Sequence, residues 1–500
     1  MSHQDTKRIA KNTIFLYVRM IITMLITLYT SRVILNVLGV EDYGVYNIIA
    51  GIVVLLAFLQ TAMTNASQRY ITYELGKGEL ESVKKVFSMS MTTHITISLL
   101  IFFLAETIGL WFINTQLNIP ANRMLAANWV YQFSILTFIV NLIRIPYNAS
   151  IIAYENMSFY AYISIIESIL KLLIVYVLCI SPSDKLILYA ILLCGVAIIC
   201  TFIYKIYCCK KFLTCNYTYF WDKKLYWQLM RFSGWTMLGG ISNVSAQQGG
   251  NILLNMYNGV VSNAAFGIAN QVSYAVYAFS SNFQIAFNPQ ITKLHAVGDS
   301  LHLNNLVNKA SLFSYYLMLL FAVPFMINTE IILKLWLKNV PDYAAVFVRL
   351  SLILAICDAV SLPLVTLQQA TGKLRNYQLV VGVLHMLNFP ISLLFLYIDF
   401  EPSIVYYIAI ILSVISLYAR LIMQRRLIGI SIVMFHKKVL SRICLVGVLN
   451  FFSLTLLRKY AENQYVSIVI AFLCSLILSI IVGLNKSEIN YFITKIKTKI

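Results

Sequence analysis

Polar residues interrupt the long apolar runs of this chain at a regular interval. In the segment NVSAQQGGNILLN, Asn243, Gln247, Asn251 and Asn255 recur at every fourth position. On a helix that interval puts them in one stripe. The runs themselves are about the 20 residues a helix needs to cross a bilayer. They fall at 13–35, 45–66, 86–110, 124–146, 160–181, 186–206, 232–256, 267–289, 310–329, 344–368, 376–398, 403–424, 438–457 and 465–484. The pattern predicts an all-α polytopic membrane protein with about fourteen transmembrane helices. The longest connection, 207–231, is too short for a soluble nucleotide-binding domain. No G-x-x-x-x-G-K-[ST] loop occurs; Gly372-Lys373 is followed by Leu374. ATP hydrolysis by this chain is therefore not expected.

Composition agrees with the pattern. Of the 500 residues 60% are hydrophobic and 11% charged, against about 25% charged in soluble domains. The net charge of +19 would suit nucleic acid if it formed a patch, but the cations are scattered between apolar runs, as topology signals are. With the N-terminus in the cytoplasm, 28 of the 38 Lys and Arg lie on the inner side, Arg420 among them. Eight lie outside, and Arg19 and Lys171 fall within spans. Both termini are thus expected to be cytoplasmic. The nine cysteines lie mostly in apolar runs without a Cys-x-x-Cys pair, so no disulfide framework, metal or cofactor site is expected. The first run is too long for a cleavable signal.

The chain also repeats itself at an offset of 220. LGVEDYGVYNI (Leu38–Ile48) aligns with NGVVSNAAFGI (Asn258–Ile268), Ala66 with Ala286, Ile71-Thr72 with Ile291-Thr292, Gly78 with Gly298 and Glu79 with Asp299. The offset covers six spans, an even number, so the halves share one orientation. The expected organisation is a six-helix bundle over 1–206, a cytoplasmic linker over 207–231 and a second bundle over 232–424. Two further helices and a basic tail occupy 425–500. The amide stripe has counterparts: Thr23, Thr27 and Ser31 in span 1, Gln60, Thr64 and Gln68 in span 2, and Ser280, Gln284 and Asn288 in span 8. Such stripes line a hydrated cavity or bond helix to helix. Four matched stripes favour the cavity.

Charges within the spans are candidate chemistry. A central Arg costs about 2.5–3.5 kcal/mol on insertion scales, so Arg19 in span 1 calls for a compensating anion. Arg32 lies near the outer end of that span and Arg144 at the inner end of span 4, where an ordinary interfacial anchor is the plainer role. Glu167 and Lys171 stand four apart in span 5, in the order that lets them neutralise one another. Asp358 in span 10 and His385 in span 11 fall near mid-membrane, where a coupling proton or ion could be held. Prolines 289, 324, 363 and 390 allow kinks.

The opening run KNTIFLYVRMIITMLITLYTSRVILNVLGVEDYGVYNI resembles the start of Wzx-type polysaccharide flippases of the multidrug/oligosaccharidyl-lipid/polysaccharide exporter superfamily. The likeness rests on the Arg-bearing first helix, on Gly39, Tyr43, Gly44 and Tyr46 in the following turn, on ASQRYITYELGKGE after span 2, and on the layout. It implies transfer of an undecaprenyl-diphosphate-linked oligosaccharide across the bacterial inner membrane by alternating access, with ion coupling. The cavity would lie between the bundles, lined largely by spans 1, 2, 7 and 8. Arg19, with Arg32 or Arg144, would hold the diphosphate, since guanidinium groups fit phosphate oxygens. The amide and hydroxyl stripes would meet the sugars, and Asp358, His385, Glu167 and Lys171 are candidates for coupling. Partners would be inner-membrane lipids and a polysaccharide polymerase with its chain-length machinery. Two rivals stay open. A drug or cation antiporter of the same superfamily would want carboxylates in the cavity, where span 1 offers Arg19 and no Asp or Glu. A membrane glycosyltransferase or polymerase could use Glu41-Asp42 but lacks an outer domain.

Overall fold

A computed structural model describes residues 3–54, 56–116, 121–337, 340–429, 431–460, 464–481 and 483. Within them, the side chains of Ser31, Arg32, Asn243, Gln247 and Asn255 lie outside the described set. The described chain is helical, with no strand. Its helices are α1 (His3–Val54), α2 (Ala57–Lys77), α3 (Leu80–Leu104), α4 (Leu110–Gln116), α5 (Met124–Ala153), α6 (Met157–Ile180), α7 (Lys185–Lys211) and α8 (Lys223–Val297). There follow α9 (Ser300–Ile327), α10 (Thr329–Trp336), α11 (Ala344–Thr371), α12 (Arg375–Met386), α13 (Asn388–Tyr397), α14 (Ile404–Ile428), α15 (Ile432–Phe435), α16 (Ser441–Tyr460) and α17 (Gln464–Ile481). Eight stretches among the described residues are long and apolar enough to cross a membrane, and they coincide with expected spans 3 to 6 and 9 to 12.

Two span boundaries differ from the sequence reading. The expected turn at 36–44 lies inside α1, and its counterpart at 257–266 lies inside α8. Glycine weakens a helix by only about 1 kcal/mol, too little to end one, and proline, the stronger breaker, is absent from both segments. No proline precedes Pro120, and none lies between 223 and 288. Among the described residues α1 ends at Val54, and Leu56 precedes α2.

The chain divides into two compact units, residues 1–240 with 292–298, and 241–291 with 299–500. In unit 1, Ile34 and Leu38 of α1 pack with Val175 and Leu178 of α6. Val45 and Ile49 join Ile113 and Ala127, while Met63 of α2 joins Phe138 and Leu142 of α5. The core of unit 2 gathers Leu253 and Ala269 of α8, Met318 of α9, Phe347 and Ala355 of α11, and Tyr406 of α14. Small residues let helices approach and bond: Ser67 to Ser90 at 2.7 Å in unit 1, Ser351 to the Ala269 carbonyl at 3.2 Å in unit 2. Such bonds contribute about 0.6 kcal/mol each in a membrane.

The repeat is visible in the backbone. Gly78 caps α2 and Gly298 caps α8, each at φ 81°. This left-handed conformation costs a side-chain-bearing residue roughly 1–2 kcal/mol. Ala66 and Ala286, Ile71 and Ile291, Thr72 and Thr292 are buried in both copies. A π-helical turn at Ala105–Gly109 joins α3 to α4, where the Tyr131 hydroxyl bonds the Ala105 carbonyl at 2.9 Å. A Cβ on Gly109 would fall 1.8 Å from that hydroxyl, so only glycine fits. Span 11 is broken at Leu387 into α12 and α13, three residues before Pro390, whose ring denies the helix a donor and a clash-free carbonyl.

Arg123 ties three elements of unit 1 together, bonding both Asp42 oxygens and, at 2.8 Å, Asp184. Asp184 also caps α7 through the amides of Leu186 and Ile187. Burial opposes ionisation there, but the Arg123 guanidinium and those amides hold the carboxyl below the usual carboxylate range. Asp42, the residue a glycosyltransferase reading would use, is thereby committed to an ion pair. Glu155, at φ 58° and buried, takes Lys293 Nζ at 2.6 Å.

Candidate functional site

Each unit carries a polar cluster within its helices. In unit 1 the cluster is built from α1, α5, α6 and α7. Tyr160, Glu167 and Lys171 stand at i, i+7 and i+11 on α6 and share one face. Most of the exposed apolar residues of α6, Tyr162, Ile166, Ile169, Leu173, Tyr176 and Ile180, occupy the opposite face, with Val177 at its edge. The polar face therefore turns away from the side suited to lipid. Arg144 Nη1 reaches Glu167 Oε2 at 3.0 Å, and Lys171 Nζ reaches Glu167 Oε1 at 2.8 Å. One carboxylate thus bridges two cations, one per oxygen. The Arg144 guanidinium lies over the Tyr204 ring at 5.5 Å, and that of Arg19 over the Tyr160 ring at 4.7 Å. Stacking on rings stabilises partly desolvated guanidinium groups and leaves their edges for hydrogen bonds.

The hydroxyl stripe of α1 is partly self-satisfied. Thr23 Oγ1 donates to the Arg19 carbonyl at 2.8 Å and Thr27 Oγ1 to that of Thr23 at 2.7 Å. Thr64 does the same with Gln60 in α2 at 2.7 Å, and Gln68 is half-buried. Back-bonding of this kind is how hydroxyls are tolerated in apolar helices. In unit 2, Gln284 is buried and its amide donates to Ser314 of α9, whose carbonyl takes Ser280 at 3.4 Å. Asn288 accepts from Thr366 at 2.8 Å, and Asn251 is half-buried. Ser280, Gln284 and Asn288 of α8 bond helix to helix; among the described residues Gln284 Oε1 is buried without a partner.

Unit 2 holds a partly open cavity of about 330 Å³ between α8, α11, α12, α13 and α14. It brings Asp358 and His385 together, although 27 positions separate them along the chain. Asp358 accepts from Ser413 at 2.6 Å. The break at Leu387 sets His385 on one segment and Asn388 on the next, both lining the cavity. Arg420 Nη2 lies 3.5 Å from His385 Nε2, and its Nε donates to the Tyr377 hydroxyl at 3.1 Å. The positive-inside reading places Arg420 among the cytoplasmic anchors. It is instead 6% exposed, and its Nη1 has no partner among the described residues. A basic residue at a span end reads as an anchor in sequence; only packing shows that this one turns inward. Tyr160 and Tyr204 are also missed by sequence reasoning, although the i, i+7 spacing of Tyr160 to Glu167 is there to be read. No group of three or more His, Cys, Asp or Glu among the described residues could hold a metal ion.

Helices with inward charge and membrane-length apolar faces define a multi-pass membrane protein, and the fold has known relatives. Solved structures of MATE transporters share it: a MATE mutant matches with TM-score 0.76 and 12% identity, covering 85% of this chain and 96% of that one. A MATE in the bent conformation matches with TM-score 0.75 at the same identity and coverage. An outward-facing multidrug resistance MATE transporter of the MOP superfamily gives TM-score 0.73, again at 12% identity over 85% and 96%. None of the curated proteins matches. The family model described as "Polysaccharide biosynthesis protein" matches residues 9–295, more than half the chain. The chain belongs to that family, and it is a transporter of the MOP superfamily rather than an enzyme.

Proposed function

We propose that the protein is a flippase. It carries an undecaprenyl-diphosphate-linked oligosaccharide, an O-antigen, capsule or exopolysaccharide repeat unit, from the cytoplasmic to the periplasmic leaflet of the bacterial inner membrane. Both termini lie in the cytoplasm in this reading. The observation that carries it is the unit 1 cluster: Arg19, Arg144 and Lys171 gathered with two tyrosines on a face turned from the apolar stripe. Cations on aromatic platforms suit a diphosphate, and tyrosine rings suit the faces of sugars. The Asp358–His385 pair of unit 2 serves the coupling proton or ion. Alternating access then needs no ATP.

A multidrug antiporter is the second reading, favoured by Asp358 in a cavity lined by Tyr274, Tyr277 and Tyr406. Arg420 beside that cavity disfavours a cationic cargo. The deciding experiment is export of the glycan by a strain depleted of this protein and supplied with Arg19→Ala at normal protein level. Loss of surface glycan with unchanged drug sensitivity supports the flippase. Normal glycan export removes Arg19 from the scheme.

A further inference from the structure

Glu167 is the one carboxylate in the unit 1 cluster, and it occupies both of the cations best placed to meet an anion. Its two oxygens face different partners, Arg144 at 3.0 Å and Lys171 at 2.8 Å. All three side chains are partly open, at 20%, 22% and 46% for Arg144, Glu167 and Lys171. The bridge is therefore not a sealed structural pair. A dianionic group that entered here would compete for the same two donors.

Charge supports the same point. Arg19, Arg144 and Lys171 contribute three positive charges and Glu167 one negative, a net of +2 for the four residues. A diphosphate esterified at both ends carries two negative charges at neutral pH. With Glu167 ionised the occupied site is neutral; without it an excess cation would remain in a low-dielectric setting, where attraction is strong. A carrier that holds its cargo too tightly in the loaded state does not release it.

On the diphosphate reading above, we infer that Glu167 is the release element of the site. It holds Arg144 and Lys171 when no substrate is present, yields them to the diphosphate, and takes them back as the diphosphate leaves. Glu167 is thus a positioning residue that sets affinity and turnover in opposite directions.

The test uses the full-length protein in detergent with an undecaprenyl-diphosphate-linked monosaccharide, esterified at both ends, as the probe, together with glycan export in cells. Glu167→Gln should bind the probe about tenfold more tightly, with a steeper dependence on salt, and export at a lower rate. The double variant Glu167→Gln/Lys171→Gln restores the net charge of +2 and should bring affinity back toward that of the wild type, a rescue that a merely structural role would not give. If Glu167→Gln does not accumulate, Lys171→Gln alone carries the test. It leaves Glu167 wholly on Arg144 and should weaken binding by about tenfold. Wild-type binding with unchanged or weaker binding by Glu167→Gln, or unchanged binding by Lys171→Gln, overturns the role of Glu167 and leaves the diphosphate reading standing. No binding by any form, wild type included, overturns the diphosphate reading and this inference with it.

Discussion

Unit 1 collects its inward charge around one carboxylate bridging two cations, with tyrosine rings beneath two guanidinium groups. Unit 2 collects its charge around a carboxylate, an imidazole and a buried guanidinium beside a partly open cavity. The two arise from halves that share a repeat down to the glycine caps of α2 and α8. A common helical plan therefore does not fix the chemistry it displays. The cationic excess of unit 1 suits an anionic cargo. On the reading proposed above, Asp358 and His385 of unit 2 suit a coupling proton or ion. The difference predicts that variants in unit 1 alter substrate affinity, whereas variants in unit 2 alter coupling.

The largest test of that division is Arg144→Ala. It removes a cation that can give charge-assisted hydrogen bonds of about 1.5–3 kcal/mol, so affinity for the undecaprenyl-diphosphate-linked probe should fall roughly 10- to 100-fold. An equal fall in Asp358→Asn would erase the distinction between the units. Next in size, Asp358→Asn should lower glycan export about tenfold and flatten its dependence on proton or sodium gradients, while probe affinity stays at the wild-type value; gradient-driven uptake in vesicles reads both.

The third pair sharpens what the copies share. Gly78→Ala and Gly298→Ala place a side chain at φ 81° where nothing lies within 4 Å, so each should cost only the backbone penalty of roughly 1–2 kcal/mol. Thermal unfolding in detergent should give equal losses; unequal ones would mean that the repeat is superficial. The smallest effect is expected at the Arg123 tie. Asp184→Asn keeps an N-cap oxygen and loses the ion pair, a loss of about 0.5 kcal/mol at neutral pH. Because folding holds the Asp184 carboxyl below its ordinary range, the pair contributes above the unfolded value near 3.9 and is lost as pH falls through the folded value. The difference between wild type and variant should accordingly vanish in acid.

Much of the fold is legible in the chain. Spans 3 to 6 and 9 to 12 coincide with long apolar helices, because twenty apolar residues in a row have few other stable arrangements in a bilayer. The turns expected after spans 1 and 7 are misplaced, because glycine-rich segments such as 36–44 read as turns when helical hydrogen bonds run straight through them. Glu167 and Lys171 stand out as a pair from their spacing, but Arg144 joins them from another helix. Gln284 reads as lining a cavity, and where the structure places it, it faces Ser314. Periodicity tells which residues share a face, not what that face meets.

Length of the apolar runs, their number, the repeat at 220 and the polarity of each helix face were determined by the sequence alone, since each is a property of one segment and its solvent. Which charges meet was decided only in three dimensions. Arg144 with Glu167, and Arg420 with His385, are partners drawn from separate helices, and Asp358 lines the same cavity as His385 from a third. Burying a charge is costly enough that its partner, once packing brings the helices together, defines its role.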